Sequence, residues 1–504
     1  MNSFDYIVVG GGSAGCAVAA RLAQDTACTI CLLEAGPGDG DIRVKIPFAL
    51  INLIGSKRDW RRRSAPMASL GGRQIDVPRG KLLGGSGSIN SMLWFRGRQD
   101  DFDAWDVPGW RWSDVEPAFE EVETRTTPQR IGTAHPVSEA WGKLFGANDP
   151  DANSTPERES AGVVHTNMRR GRRWSAADAF LRPAQKSGRV EVLTRAEVLR
   201  LSMAGDRATG VVLKDGREIA ARGAVVLSAG AIESPMILMR SGLGPSAHLR
   251  ERGIDVIRDI PGVGANLHDH PSAGLHFVAP HSGYGLTLRQ LPVWAAAPFQ
   301  YAIARKGVLA SPTVEANAFF RAMPGDGPPD AQSHFIPFKL NWSGSKYSLG
   351  SGYYADVVVC RPRSRGRLTM SADTLTPHID FNLLSDPYDM EVLERGLPKL
   401  RQMAMRAPFG ARRAEEKHPG PEVTGDALRA HIRSACATAY HPVGTIAMGA
   451  DGPLDSQLRL RGVRGLFVAD ASVMPRITSA NTNAPSMMIG WRGGDLIAKS
   501  NPHQ

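Results

Sequence analysis

Cysteine is scarce: the chain holds Cys16, Cys28, Cys31, Cys360 and Cys436 in 504 residues. An odd number at irregular spacing argues against a disulfide framework and fits a reducing compartment. Cys28 and Cys31 have no second pair to complete a zinc site, and no histidine stands at metal-ligand spacing, so no metal is expected. No apolar run is long enough to span a bilayer. The chain enters a strand within five residues, which leaves no room for a charged and apolar leader, so a cytoplasmic protein is expected. Acidic residues are in deficit, 50 against 60 Lys and Arg, for a formal charge of +10. The excess is dispersed. Its densest clusters, Arg61-Arg62-Arg63 and Arg169-Arg170-Gly171-Arg172-Arg173, lack the pattern of a nucleic-acid reader and read as solvated surface with some pull on anions. No internal repeat or low-complexity segment is present.

What is abundant is glycine and proline, 54 and 35 residues, which imply many turns. The length exceeds the usual span of one core, so two domains are expected. Tyr6-Ile7-Val8-Val9 reads as a buried parallel strand, Ala14 to Ala23 as a helix, and Thr29 to Leu33 as a second strand. Further strands are predicted at Val190–Leu193, Gly210–Leu213, Ala224–Leu227 and Leu466–Val468, and a last helix from about Pro485. Sheet strands at the start, middle and end predict an α/β fold (α+β overall) in which a second, sheet-containing domain is inserted. The nucleotide domain is expected at 1–162, 189–291 and 430–504, and the inserted domain at 163–188 and 292–429.

Gly10-x-Gly12-x-x-Gly15 follows the first strand and opens the first helix. Gly10 permits the tight turn, Gly12 the approach of a pyrophosphate, and Gly15 close packing of helix on strand. Ser13 and Ala14 begin that helix. Glu34, with Ala35 after it, ends the second strand, where a carboxylate accepts from ribose hydroxyls. This predicts a dinucleotide site without separating NAD from FAD.

Five further stretches separate them. Pro78-Arg79-Gly80-Lys81-Leu82-Leu83-Gly84-Gly85-Ser86-Gly87-Ser88-Ile89-Asn90 resembles the first signature of the glucose–methanol–choline (GMC) oxidoreductase family. Gly230-Ala231-Ile232-Glu233-Ser234-Pro235 resembles its second. Asn266-Leu267-His268-Asp269-His270 is similar to the loop that follows. Tyr440-His441-Pro442-Val443-Gly444-Thr445 and Val468-Ala469-Asp470-Ala471-Ser472 resemble its C-terminal flavin motifs. The resemblance implies a Rossmann-like FAD-binding domain and a substrate domain, in the choline-dehydrogenase-like branch. It places FAD against Gly84, Gly85 and Ser86, against Asn90, Ser91, Met92 and Leu93, and against Val198, Ala229 and Glu233. It adds Asp470, Ala471, Thr482, Asn483 and Pro485 at the C-terminal side. The last helix would turn its positive end to the flavin and stabilise charge gathered on reduction.

Oxidising an alcohol requires a base for the hydroxyl proton and an acceptor for the hydride. A histidine of near-neutral pKa suits the first task. The resemblance implies His441 as that base and Asn481 as its partner, with Asn483 as the alternative; His268 and His270 are expected to brace structure. Ile89 stands where some members carry a histidine bonded to FAD, so FAD is expected to be noncovalent. The segment from Thr126 to Val163, often a lid, is short and irregular, which implies an open entrance. The expected reaction is oxidation of a primary alcohol to the aldehyde, with oxygen or another electron acceptor. The inserted domain is rich in aromatics, among them Trp294, Phe299, Tyr301, Phe338 and Tyr354, and its stretch from Pro312 to Trp342 holds few acids, Glu315, Asp326 and Asp330, of which the two aspartates fall in a Gly/Pro turn away from a pocket wall. A hydroxymethyl group on an aromatic or heteroaromatic ring, such as that of pyridoxine, is therefore favoured over choline or an aliphatic alcohol. A hydroxynitrile lyase that keeps FAD is the alternative of another class.

Overall fold

The computed structural model describes residues 3–145, 158–280, 282–341, 347–373, 375–406 and 414–500. Two sheets organise it. In the first, the strand order is Val190–Thr194, Ile30–Glu34, Ser3–Val9, Glu218–Leu227, Arg207–Leu213, Val198–Ala204, and Leu466–Val468 also pairs with Glu218–Leu227. The strands on either side of Ser3–Val9 run parallel to it, as does Leu466–Val468 to its own neighbour. Ile7, Val8, Leu32, Val225 and Val226 are wholly buried, as expected for apolar strands covered on both faces. The expected α/β fold is therefore present.

The second sheet is antiparallel, in the order Glu415–His418, Pro271–Val278, Gly352–Val359, Ala331–Ile336, Ala316–Phe320, Ser160–Val163. Two of its strands cross the expected bounds: Pro271–Val278 lies within an expected nucleotide segment, and Ser160–Val163 straddles the boundary expected between 162 and 163. Ala437–Thr438, also within an expected nucleotide segment, pairs with Pro271–Ser272. A short apolar run looks alike in either sheet, and only its pairing reveals where it belongs. The strand Val198–Ala204 was not predicted, because its exposed Arg200 and part-buried Ser202 break the apolar run. In the segment from Thr126 to Val163, Pro136–Trp141 forms a helical turn. The expected open entrance there rests largely on 146–157, outside the described residues.

The helix Ser13–Asp25 lies against the terminal helix Asn483–Lys499. Glycine makes this approach close. A Cβ on Gly490 would stand 2.3 Å from the Ala14 carbonyl oxygen, and one on Gly494 2.6 Å from the Arg21 Cβ. The contact fixes the N-termini of both helices on one side of the first sheet.

Gly490→Ala is therefore expected to reverse the usual propensity effect. In an open helix it would stabilise by about 1 kcal/mol. Here the overlap with Ala14 is expected to cost about 1–3 kcal/mol and lower Tm. An unchanged or raised Tm in thermal unfolding would refute the tight contact.

Candidate active site

A cavity of about 450 Å³ opens where the two sheets meet, beyond the C-terminal ends of the first sheet's parallel strands. Most of the expected site residues line it. They include Gly10, Gly12, Ser13, Ala14, Glu34, Ala35, Gly85 and Ser86 from the N-terminal unit. Asn90, Ser91, Met92, Leu93, Val198, Ala229 and Glu233 follow, with Asp470, Ala471, Asn481, Thr482, Asn483 and His441 from the C-terminal part. Gly15, Gly84 and Pro485 do not line it. Gly15 packs instead, since its Cβ would stand 1.9 Å from the Gly10 carbonyl oxygen. Gly84 turns the chain at φ +87°, and Pro485 is buried in the first turn of the terminal helix.

The fingerprint end is shaped by backbone. Gly10 adopts φ +103°, and its Cβ would meet the Ser228 carbonyl oxygen at 2.5 Å. Glu34 accepts from Gly11 N at 3.0 Å and Gly36 N at 2.8 Å, which pins the strand ends together. Burial pushes its carboxyl up to about 7. Asp470 accepts from Gly230 N and Ser234 Oγ with one oxygen and from Ser472 N and Oγ with the other. Asn90 Oδ1 accepts from Met92 N and from Arg173 Nη1, and buried Arg173 also donates to Val44 and Gly87 carbonyls.

At the other end His441 is fixed from both ring nitrogens. His270 Nε2 lies 2.9 Å from the Thr478 carbonyl, which can only accept, so His270 carries its proton there. Burial pushes the His270 pKa down to about 4, so the ring is neutral and its Nδ1 is bare. His441 Nδ1, 3.1 Å away, must therefore donate to it. That leaves His441 Nε2 as a bare acceptor, 3.1 Å from Asn481 Nδ2. Burial, and after it His270, His334 and Arg79, lower the His441 pKa well below the usual histidine value. Asp269 holds the backbone, accepting His441 N–H at 2.8 and 2.9 Å. Arg79 donates to the carbonyl of Tyr440, whose φ is +67°.

Sequence reasoning missed several of these residues. His268 does brace structure, through the Asn266 carbonyl and Ile477 N–H, but His270 sets the tautomer of His441. Its only sequence signal was the loop motif that contains it. His334 and Asp356 carried no signal, because they come from two strands and meet only across the sheet. Their strands pair at Gln332–Val358 and Ile336–Tyr354, which sets His334 opposite Asp356. Asp356 accepts the His334 backbone N–H at 2.7 Å and lies 3.3 Å from its Nδ1. Burial disfavours the charged imidazolium, but the Asp356 carboxylate outweighs it and raises the His334 pKa. His334 Nε2 and Gln332 Nε2 both reach Asn481 Oδ1, at 3.4 and 3.3 Å, and so turn the Asn481 amide nitrogen toward His441. Asn483 is oriented elsewhere, its Oδ1 accepting from Ser13 Oγ at 2.7 Å. Asp269, His270 and His441 bring ligand-type atoms within 4.8 Å of one another. The Asp269 oxygens and both nitrogens of each ring are engaged in the hydrogen bonds above.

The residues present fit a flavin dinucleotide. Gly12 and Gly85 leave the loop surface bare, a Cβ on Gly85 lying 2.8 Å from the Gly12 Cα. Asn483 Nδ2, at the N-terminus of the terminal helix, is buried in the cavity wall without a partner among the described residues. Such a donor is available to an acceptor on a bound group.

Family comparison agrees. GMC oxidoreductase models match residues 4–272 and 362–490. The chain is 37% identical to an oxygen-dependent choline dehydrogenase of Sinorhizobium medicae, over 99% of this chain and 96% of that protein. It is 35% identical to an alcohol dehydrogenase (acceptor) of Pseudomonas putida, over 98% and 96%. The crystal structure of pyridoxine 4-oxidase from Mesorbium loti superposes with a TM-score of 0.84 at 28% identity, covering 97% of this chain and 98% of that one. The chain therefore belongs to the GMC oxidoreductase family and is an FAD-dependent alcohol oxidoreductase.

Proposed function

We propose that the enzyme oxidises a neutral, planar primary alcohol, a hydroxymethyl group on an aromatic or heteroaromatic ring, to the aldehyde, with pyridoxine as the leading candidate. One observation carries this reading. Of the carboxylates lining the cavity, Asp356 alone comes from the second sheet, and His334 already engages it at backbone and ring. A quaternary ammonium is held by an aromatic cage, to which a free carboxylate adds charge complementarity, and Asp356 is already engaged by His334. Glu315 stays off the wall, held by Ser311, Ser138 and the His135 N–H. Asp326 and Asp330 do not line the cavity. The wall instead offers Tyr347, Tyr354, Ile336 and Leu340, a surface suited to a flat ring. The pyridoxine 4-oxidase likeness supports the same substrate class.

Bound FAD supplies the hydride acceptor. The chain provides the rest. His441 Nε2 takes the hydroxyl proton, and Asn481 Nδ2 donates to the substrate oxygen and holds it beside that nitrogen. Thr478, through His270, keeps Nε2 bare before the substrate arrives.

Pyridoxine, benzyl alcohol, hydroxymethylfurfural, choline and an aliphatic alcohol are to be compared by anaerobic flavin reduction. A ring-bearing alcohol is expected to show the highest specificity constant; an advantage of about tenfold or more for choline or the aliphatic alcohol defeats the reading.

His441→Ala is expected to retain FAD and lose flavin reduction by roughly three orders of magnitude or more. Because the His441 pKa is lowered, the base stays unprotonated through the neutral range. Flavin reduction is thus expected to be level on the acid side past the usual histidine value and to fall only below it. A fall centred near 6.5 contradicts the environment described.

Ile89 is buried beside the cavity and has no nucleophilic atom. Acid precipitation of the holoenzyme is expected to leave the flavin in the supernatant. A yellow pellet would show a covalent link.

A further inference from the structure

The helix Leu291–Ala304 has no outer polar face. Its sequence, LPVWAAAPFQYAIA, holds no charge, and only Ala297 and Tyr301 are buried. Among its ten exposed positions Gln300 is the one polar residue. Ile303 is 86% exposed and Phe299 69%, and Leu288, just before the helix, is 84% exposed. A solvated helix presents polar residues outward, whereas this one is apolar all round and still exposed.

Cations gather at its ends. The Tyr301 hydroxyl shares its one proton between the Gly171 carbonyl at 3.1 Å and the Lys45 carbonyl at 3.2 Å. These bonds set the hairpin residues Arg170 and Arg172, both exposed, beside the C-terminal end. Arg305 lies over the Tyr301 ring at 4.9 Å, and exposed Lys306 follows it. Exposed Arg289 precedes the helix. Asp41, which caps the short helix Ile42–Lys45, is taken up by Arg43 and Arg58.

We propose that this face is a docking surface for an anionic lipid bilayer, with the helix lying in the plane of the interface. Its 14 residues measure about 21 Å, too short to cross a bilayer. An apolar face rimmed by Arg and Lys is the pattern of an interfacial helix, with the rim meeting acidic headgroups. A second copy fits the charge less well: an isologous contact would bring the same cations together. The helix packs through Trp294 and Ala297 onto Phe338 and Phe48. Phe48 stacks at 5.0 Å on Tyr347, a residue of the cavity wall. Docking would bring that wall close to the lipid.

The test is flotation of the FAD-loaded full chain with vesicles of phosphatidylcholine alone or with about 30% phosphatidylglycerol. Recovery is expected to be roughly tenfold higher with the anionic vesicles and to be lost in about 0.5 M NaCl. The double variant Phe299→Asp, Ile303→Asp is expected to float at least roughly tenfold less. Both positions are exposed, so its flavin absorbance and alcohol turnover are expected to be unchanged. Arg170→Glu with Arg172→Glu is expected to remove the preference for anionic lipid. The proposal is overturned if the parent chain does not float with anionic vesicles, or if the double variant floats equally well. It is also overturned if light scattering shows a parent dimer that Ile303→Asp converts to monomer, since a second copy then covers the face.

Discussion

A backbone carbonyl decides which nitrogen of the cavity-lining His441 is left bare. Thr478 can only accept, so His270 must place its proton toward it, and His441 must then spend its own proton on His270. The chemistry expected of His441 depends on this order, because only an unprotonated Nε2 can take a proton. Three separated stretches, at 269–270, 441 and 478–481, must be held within about a hydrogen bond's reach for it to work. Burial then keeps both rings neutral, since charging either would mean desolvating an ion.

The two sheets divide the labour. The first presents backbone: glycine turns at its strand ends leave amides and bare surface where phosphate and flavin can approach. The second presents side chains. Alternation along Ala331–Ile336 puts Gln332, His334 and Ile336 on one face, and two of these donate to Asn481. The amide of Asn481 is thus oriented by the second sheet while its backbone belongs to the loop before the terminal helix. Polar groups from both sheets converge on the cavity between them. The apolar helix Leu291–Ala304 supports the cavity wall with its packing side, and its outer side meets the surroundings.

Much of the fold was legible because its signals are local. Leu466–Val468 was read with its exact bounds and Val190–Thr194 within one residue, since buried parallel strands are short, apolar and β-branched. Gly10, Gly12, Gly15 and Glu34 were legible for a related reason: a turn, a helix start and a strand end set them at fixed spacing. His441 and Asn481 were legible only through resemblance to a family, as spacing alone cannot tell a base from a bracing histidine.

By itself the sequence determined the strand–turn–helix unit at the N-terminus, the α/β class and the order of the flavin motifs, because neighbouring residues create each of them. Tertiary structure alone decided that Pro271–Val278 and Ser160–Val163 belong to the second sheet, since strand pairing is set by register with distant partners. It alone placed His334 opposite Asp356, turned Asn483 toward Ser13 and Asn481 toward His441, and chose the tautomer of His441. Those choices are made by hydrogen bonds between groups tens to hundreds of residues apart, and no local pattern encodes which of them will meet.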